Sequence, residues 1–198
     1  MRKRRKPTMR ACILVCLLGL AAAPALAADH TPAGERLLLA PPTGWQPVQL
    51  SRTDKMVVTR LYPPGQDEKS WTEILTVQIY PKSGQTARQF ADSIVQYTRD
   101  ACEAAGPSAV NEKPVNGYPM ASVSVTCSKG KASGQGGFVL VTAIQGKDAL
   151  YAVQRQWRGA PFGPRDTPAF PPDMLRQWSA FIHNVSLCDT RDSRHPCP

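Results

Sequence analysis

No acidic residue occurs before Asp29, although Arg2, Lys3, Arg4, Arg5, Lys6 and Arg10 crowd the same stretch. Nor is there an apolar run long enough for a permanent membrane anchor, which takes about 20 residues. The longest, Ala11 to Ala23, falls short of that. A basic start, a short apolar run, the break at Pro24 and the small residues of Ala25-Leu26-Ala27 together form a cleavable secretory signal peptide, cut after Ala27. A lipoprotein would carry its modified cysteine at the end of the apolar run, whereas Cys16 sits within it behind Val15. Arg4-Arg5 is not continued by Lys6-Pro7-Thr8 in the manner of a twin-arginine signal. General secretion is therefore expected, with a periplasmic or secreted product and no permanent membrane span after cleavage.

Removing that segment changes the charge. The whole chain has 24 Lys and Arg against 15 Asp and Glu, a net charge of +9. All six bases of the signal go with it and no acid does, which leaves a net charge of about +3. Binding to nucleic acid needs clustered bases that release counterions from phosphates. In the mature chain the nearest approach to a cluster is Lys129 with Lys131, in a solvated loop. No nucleic-acid partner is expected.

The motifs of common chemistries are missing as well. There is no G-x-S-x-G elbow for a serine hydrolase. Gly130-Lys131 lacks the order of a phosphate-binding loop and lies between strands rather than before a helix. The three histidines, His30, His183 and His195, have no partner at metal-ligand or Cys/His spacing. Asp67-Glu68 reads as a turn. No catalytic residue, cofactor or metal is assigned.

What is present is a cysteine set suited to export. Beyond the signal lie Cys102, Cys127, Cys188 and Cys197, an even number with no C-x-x-C. An oxidising compartment makes these two disulfides in one of three pairings. The favoured pairing is Cys102 with Cys127 and Cys188 with Cys197, since the second closes a short tail that would otherwise not pack.

Residues 28–36 read as a mobile leader and 37–198 as a single α+β domain. Strands are predicted from Gly44-Trp45 to Leu50, Met56 to Tyr62 and Trp71 to Tyr80, rich in Thr, Ile, Val and aromatics, with Pro63-Pro64-Gly65 as a turn. Phe90, Ile94, Tyr97 and Ala101 then form one stripe of a helix. Thr86 with Gln89 provides a capping box, and Gly106-Pro107 a stop, with Cys102 in the last turn. After the Asn116-Gly117 turn, Ala121, Val123, Val125 and Cys127 share one face of a strand. Strands at Phe138 to Gln145 and Leu150 to Trp157 follow, around a Gly146-Lys147-Asp148 turn. The Pro- and Gly-rich stretch Arg158 to Pro172 is a connection. A last helix from Asp173 to about Asn184 carries Met174, Trp178, Phe181, Ile182 and Val185 at helical spacing.

The order of these elements carries a resemblance. Pro42-Thr43-Gly44-Trp45 opens the first strand, Ser83-Gly84-Gln85-Thr86 introduces the helix, and a Gly-Lys-Asp turn precedes Leu150-Tyr151. That arrangement is similar to the PsbP-like and Mog1-like α/β/α sandwiches, among them envelope proteins of the DcrB type. The resemblance implies an antiparallel sheet of about six to seven strands flanked by two main helices. More closely, the chain resembles small exported proteobacterial proteins, through Pro64-Gly65-Gln66, Trp71-Thr72-Glu73, Asn116-Gly117-Tyr118-Pro119 and the ending Val185 to Arg191 with Cys197-Pro198. That group brings no established activity with it, while the wider superfamily implies non-enzymatic binding or accessory roles and brings no catalytic residues.

One polar group invites a binding role. By strand alternation Glu73 shares a face with Trp71, Leu75, Val77 and Ile79, at the sheet edge, with Arg60 and Arg155 as candidate ion-pair partners. An ordinary ion pair on the sheet is one account. The other is a shallow binding face made of Trp71, Glu73, Arg155 and Trp157. The functional expectation is a non-enzymatic envelope module that binds a protein or a small ligand. The alternatives are a secreted factor acting on another cell, and an enzyme whose site would gather Glu73, His183 and an arginine in a deep pocket.

Overall fold

The computed structural model describes residues 33–198; the expected signal peptide, residues 28–32 of the expected leader, and with them Cys12, Cys16 and His30 lie outside the described residues. Its elements run β1 (Glu35–Leu38), β2 (Gln46–Arg52), β3 (Val57–Tyr62), β4 (Glu73–Pro81), α1 (Ala87–Ala101), β5 (Ala105–Pro107), β6 (Asn111–Glu112), β7 (Met120–Cys127), β8 (Gly136–Gln145), β9 (Ala149–Gly159), α2 (Met174–His183) and β10 (Ser186–Asp189). The chain is α+β, and one antiparallel sheet dominates, in the order β2-β3-β4-β9-β8-β7-β5, with β6 also paired to β7. These eight strands exceed the expected six to seven because the short β5 and β6 both attach to the outer side of β7. A separate ribbon pairs β1 with β10.

Alternation along the central strands divides the sheet into two apolar faces. On one, Ala121, Val123 and Val125 of β7, with Val141 and Ala143 of β8, are buried under Phe90 and Ala91 of α1. On the other, Leu61, Leu75, Ile144 and Val153 pack with Val185 and Leu187, and Trp157 packs with Met174 and Trp178 of α2. Each helix thus covers its own face, which makes the layers α/β/α.

The N-terminal turn of α1 is fixed as the sequence indicates. Thr86 Oγ1 accepts from Gln89 N (3.1 Å) while Gln89 Oε1 accepts from Thr86 N (2.9 Å), so two otherwise unsatisfied amides are paired. Cys102 is the cap at the other end, one residue beyond the last turn in which it was expected. It is bonded to Cys127, and Cys188 to Cys197.

One difference from the sequence concerns the start of the domain. Glu35 and Arg36, expected in the leader, begin β1 and pair with Asp189 and Cys188. Glu35 also holds the β8–β9 turn: its carboxylate accepts from the amides of Lys147 (2.5 Å) and Asp148 (2.9 Å) and from the Tyr151 hydroxyl (3.2 Å). The tail docks beside it through Asn116, whose amide donates to the carbonyls of Leu187 (2.9 Å) and Pro196 (3.1 Å).

Candidate functional site

Glu73 and Arg155 come together. Arg155 stands opposite Leu75 in the β4–β9 register and Trp157 stands opposite Glu73, so all four share the α2 face. The Arg155 Nη2 to Glu73 Oε2 distance is 3.0 Å, and Trp178 Nε1 donates to the same oxygen at 3.1 Å. The guanidinium lies 4.8 Å from the ring centroid of Trp178, 5.2 Å from that of Trp45 and 5.5 Å from that of Phe181. Burial pushes Arg155 below its ordinary pKa, and Glu73 opposes that shift. Guanidinium remains charged in proteins, so Glu73 is its counter-ion. Arg155 is only 4% exposed and Trp157 6%, which makes both parts of the core under α2.

Trp71 goes elsewhere. β4 begins at Glu73, so Trp71 is not held to the alternation of the strand. It packs against Arg158, whose guanidinium carbon is 4.2 Å from the indole centroid. Arg158 Nη2 donates to Lys69 O (2.7 Å) and its Nε donates to Trp71 O. Arg158 follows Trp157 on β9 and therefore points to the α1 side. The four residues of the expected face are thus divided between the two sides of the sheet. Glu73 is the first residue of β4, paired with Trp157 of β9 but beyond the β3–β4 register, which ends at Leu61 and Leu75. Arg60, the other candidate partner, is 3.5 Å from Glu68.

His183 is exposed, with Nδ1 2.6 Å from Ser179 O. The cleft it lines, beside Lys113 and Met120, includes neither Glu73 nor an arginine. His195 stacks on Tyr118 with centroids 4.0 Å apart, and its Nδ1 is 2.8 Å from Asn116 O. Among the described residues no group of three or more His, Cys, Asp or Glu side chains is arranged to hold a metal ion.

The α1 face contains a cleft that no motif in the sequence marks. It measures about 350 Å3 and opens between the C-terminal half of α1, the loop before β8 and the ends of β8 and β9. The Cys102–Cys127 disulfide, Ala101, Val125 and Val139 supply apolar lining; Tyr97 and Trp71 supply rings. Gln156, Ser133 and Arg158 contribute polar groups, and among the described residues no carboxylate or imidazole lines it. Its walls are tied together. Besides the disulfide, Lys131 N donates to Ala101 O (2.8 Å), Glu103 N to Lys129 O (2.8 Å) and Ala104 N to Ser128 Oγ (3.1 Å). The Gly130–Gly137 stretch that reads as a flexible loop in the sequence is therefore anchored at its start to the helix end.

One signal in the sequence bears on this cleft. Tyr97 belongs to the stripe of Phe90, Ile94 and Ala101, yet it is 73% exposed. The face that α1 buries is instead Ala87, Phe90, Ala91 and Thr98, which leaves Tyr97 at its flank, on the cleft.

No protein-family model matches the chain, and no curated protein matches it. Solved structures do. The Ran-binding protein Mog1p of Saccharomyces cerevisiae aligns over 81% of this chain and 98% of its own, with a TM-score of 0.50 at 11% identity. The fold is Mog1-like. LpqN of Mycobacterium tuberculosis, described as involved in cell envelope biogenesis, covers 80% of this chain and 87% of its own, with a TM-score of 0.40 at 10% identity. At these identities the Mog1-like likeness concerns architecture, and a function has to be argued from the site. Two disulfides are the mark of an oxidising compartment, outside the cytoplasm. Among the described residues no helix is long and apolar enough to cross a membrane.

Proposed function

We propose that this is an exported, non-enzymatic binding module of the cell envelope, acting by holding a small ligand in the cleft beside α1. The observation that carries this reading is the cleft itself: apolar surface and an aromatic ring open to solvent, with its walls braced by a disulfide. Ligand sites are concave and mostly apolar, with a few placed polar groups, and run from about 300 to 1,000 Å3. This cleft falls within that description. Bracing lowers the ordering cost of binding. Among the described residues Arg158 is the sole charged side chain of the lining, which offers no pair suited to general acid and base work. The basic N-terminus and the cleavage pattern ending at Ala27 support export to the periplasm or beyond.

Both halves of the proposal can be tested on one preparation. The full chain is expressed with its own N-terminus in a bacterial host and recovered from the envelope fraction. Intact-mass and N-terminal analysis is expected to show a chain beginning at Ala28; a chain retaining residues 1–27 would overturn export by cleavage. Native mass spectrometry is expected to show a small co-purifying molecule, absent after Tyr97→Ala. Retention of the same molecule by that variant would remove the cleft from the proposal.

A further inference from the structure

Gly137 forms part of the floor of the cleft. It lies within β8, opposite Cys127 on one neighbour and Arg158 on the other. A glycine in a strand weakens it, and a bulge, a bend or a close approach by backbone or ligand is the usual reason for one. Gly137 shows none of the structural reasons. Its backbone is not in the left-handed region, and the register on both sides of it is unbroken. A Cβ built on it would have as its nearest neighbours Trp157 O at 3.6 Å and Cys127 Cβ at 3.7 Å, which are ordinary contacts. Gly136 beside it is different, since a Cβ there would come within 2.4 Å of Ala160 O. A Cβ at Gly137 would therefore fit in ordinary contact with its neighbours, on the cleft it lines.

Two rings border that cleft. Tyr97 stands at a helix position patterned for burial and remains exposed. Trp71 is covered by the Arg158 guanidinium at 4.2 Å. Among the described residues no carboxylate is within ion-pair distance of Arg158, which contacts instead two backbone carbonyls and the indole. A permanent cation at the rim, rings at the walls and a floor without a side chain select a flat ring that bears a negative charge. The ring gains by stacking, and the anion by a charge-assisted hydrogen bond.

We infer that the cleft binds a small aromatic acid, its ring over Gly137 between Tyr97 and Trp71 and its anionic group toward Arg158. This rests on the cleft being the binding site, as proposed above. The test uses two fluorescent probes with the same rings, 1-anilinonaphthalene-8-sulfonate and the uncharged N-phenyl-1-naphthylamine, with decanoate as an aliphatic anion. They are titrated into the natively folded protein purified after export of the full chain. The sulfonate is expected to bind. Tyr97→Ala and Gly137→Leu should each weaken it by about tenfold or more, the size of a lost stacking contact or a filled floor, with unchanged thermal unfolding. The neutral probe should bind more weakly, and Arg158→Met should abolish that difference. Equal binding of the two probes, or displacement of the sulfonate by decanoate, would overturn the aromatic acid while leaving the cleft as a binding site. If Gly137→Leu affects neither probe, the cleft reading falls together with it.

Discussion

At the scale of single residues, the Glu73–Arg155 pair shows how a charge is accommodated under α2. Arg155 is surrounded by Trp45, Trp178 and Phe181, and one carboxylate oxygen of Glu73 serves both its guanidinium and the Trp178 indole. Removing one partner of a buried ion pair strands the other, and costs more than the pair itself contributes. Glu73→Ala should therefore lower unfolding stability by about 3 kcal/mol, toward the lower end for such pairs because the Glu73 side chain is 22% exposed. Glu73→Gln, which still offers an oxygen to Trp178, should cost less. Urea titrations of the two variants check the order; equal losses would show that the charge, which both variants lack, carries the whole effect and the oxygen offered to Trp178 none of it. The sequence offers Arg60 and Arg155 equally as partners, since both lie in recognisable strands, and the β4–β9 register decides for Arg155. Trp178 was not legible as a partner, as its contact joins elements separated by 105 positions. Trp71 was assigned to the wrong face because the strand begins two residues after it.

Elements whose pattern spans several turns or pleats were legible, and very short ones were not. α1 carries its own capping box, and β7, β8 and β9 alternate over eight residues or more. β1, β5, β6 and β10 have two to four residues each, too few to show a period, and exist because a partner strand is present. The disulfides fasten these ends. Cys102–Cys127 closes a separation of 25 residues and Cys188–Cys197 one of 9. From the chain entropy removed from the unfolded state, Cys102→Ser with Cys127→Ser should cost about 3.5 kcal/mol, and the equivalent change at the tail about 2.5 kcal/mol. Denaturant midpoints of the two double variants test this. A larger loss at the tail would mean that its disulfide acts through the native β1–β10 ribbon rather than through the unfolded chain.

Across the whole molecule, β1, the β8–β9 turn and the C-terminal tail meet in a network of charges that makes folding sensitive to acid. Asp189 is held at about 2, chiefly by the hydrogen bond from Arg191, and Arg194 and Lys147 hold Asp192 well below the ordinary carboxylate range. Both values are depressed below the unfolded value of 3.8, so these groups contribute their full stability above that pH and lose it as pH falls through their folded values. Stability should be flat from neutral pH down to about 4 and then decline, with the Asp189 share lost by about pH 2. Asp189→Asn should flatten that part of the decline in urea titrations at stepped pH; an unchanged slope would exclude it as the source. Local order alone determined the capped helix, the long strands and the cysteines available for pairing, because each is written in neighbouring residues or in a short period. Only the tertiary structure decided that Arg155 and Trp157 enter the core with the half-buried Glu73 as counter-ion while Trp71 joins Arg158 on the other side, and that Tyr97 and Gly137 line one cleft. The cleft exists because a helix end, a loop and two strand ends from distant parts of the chain converge, and no local pattern encodes that convergence.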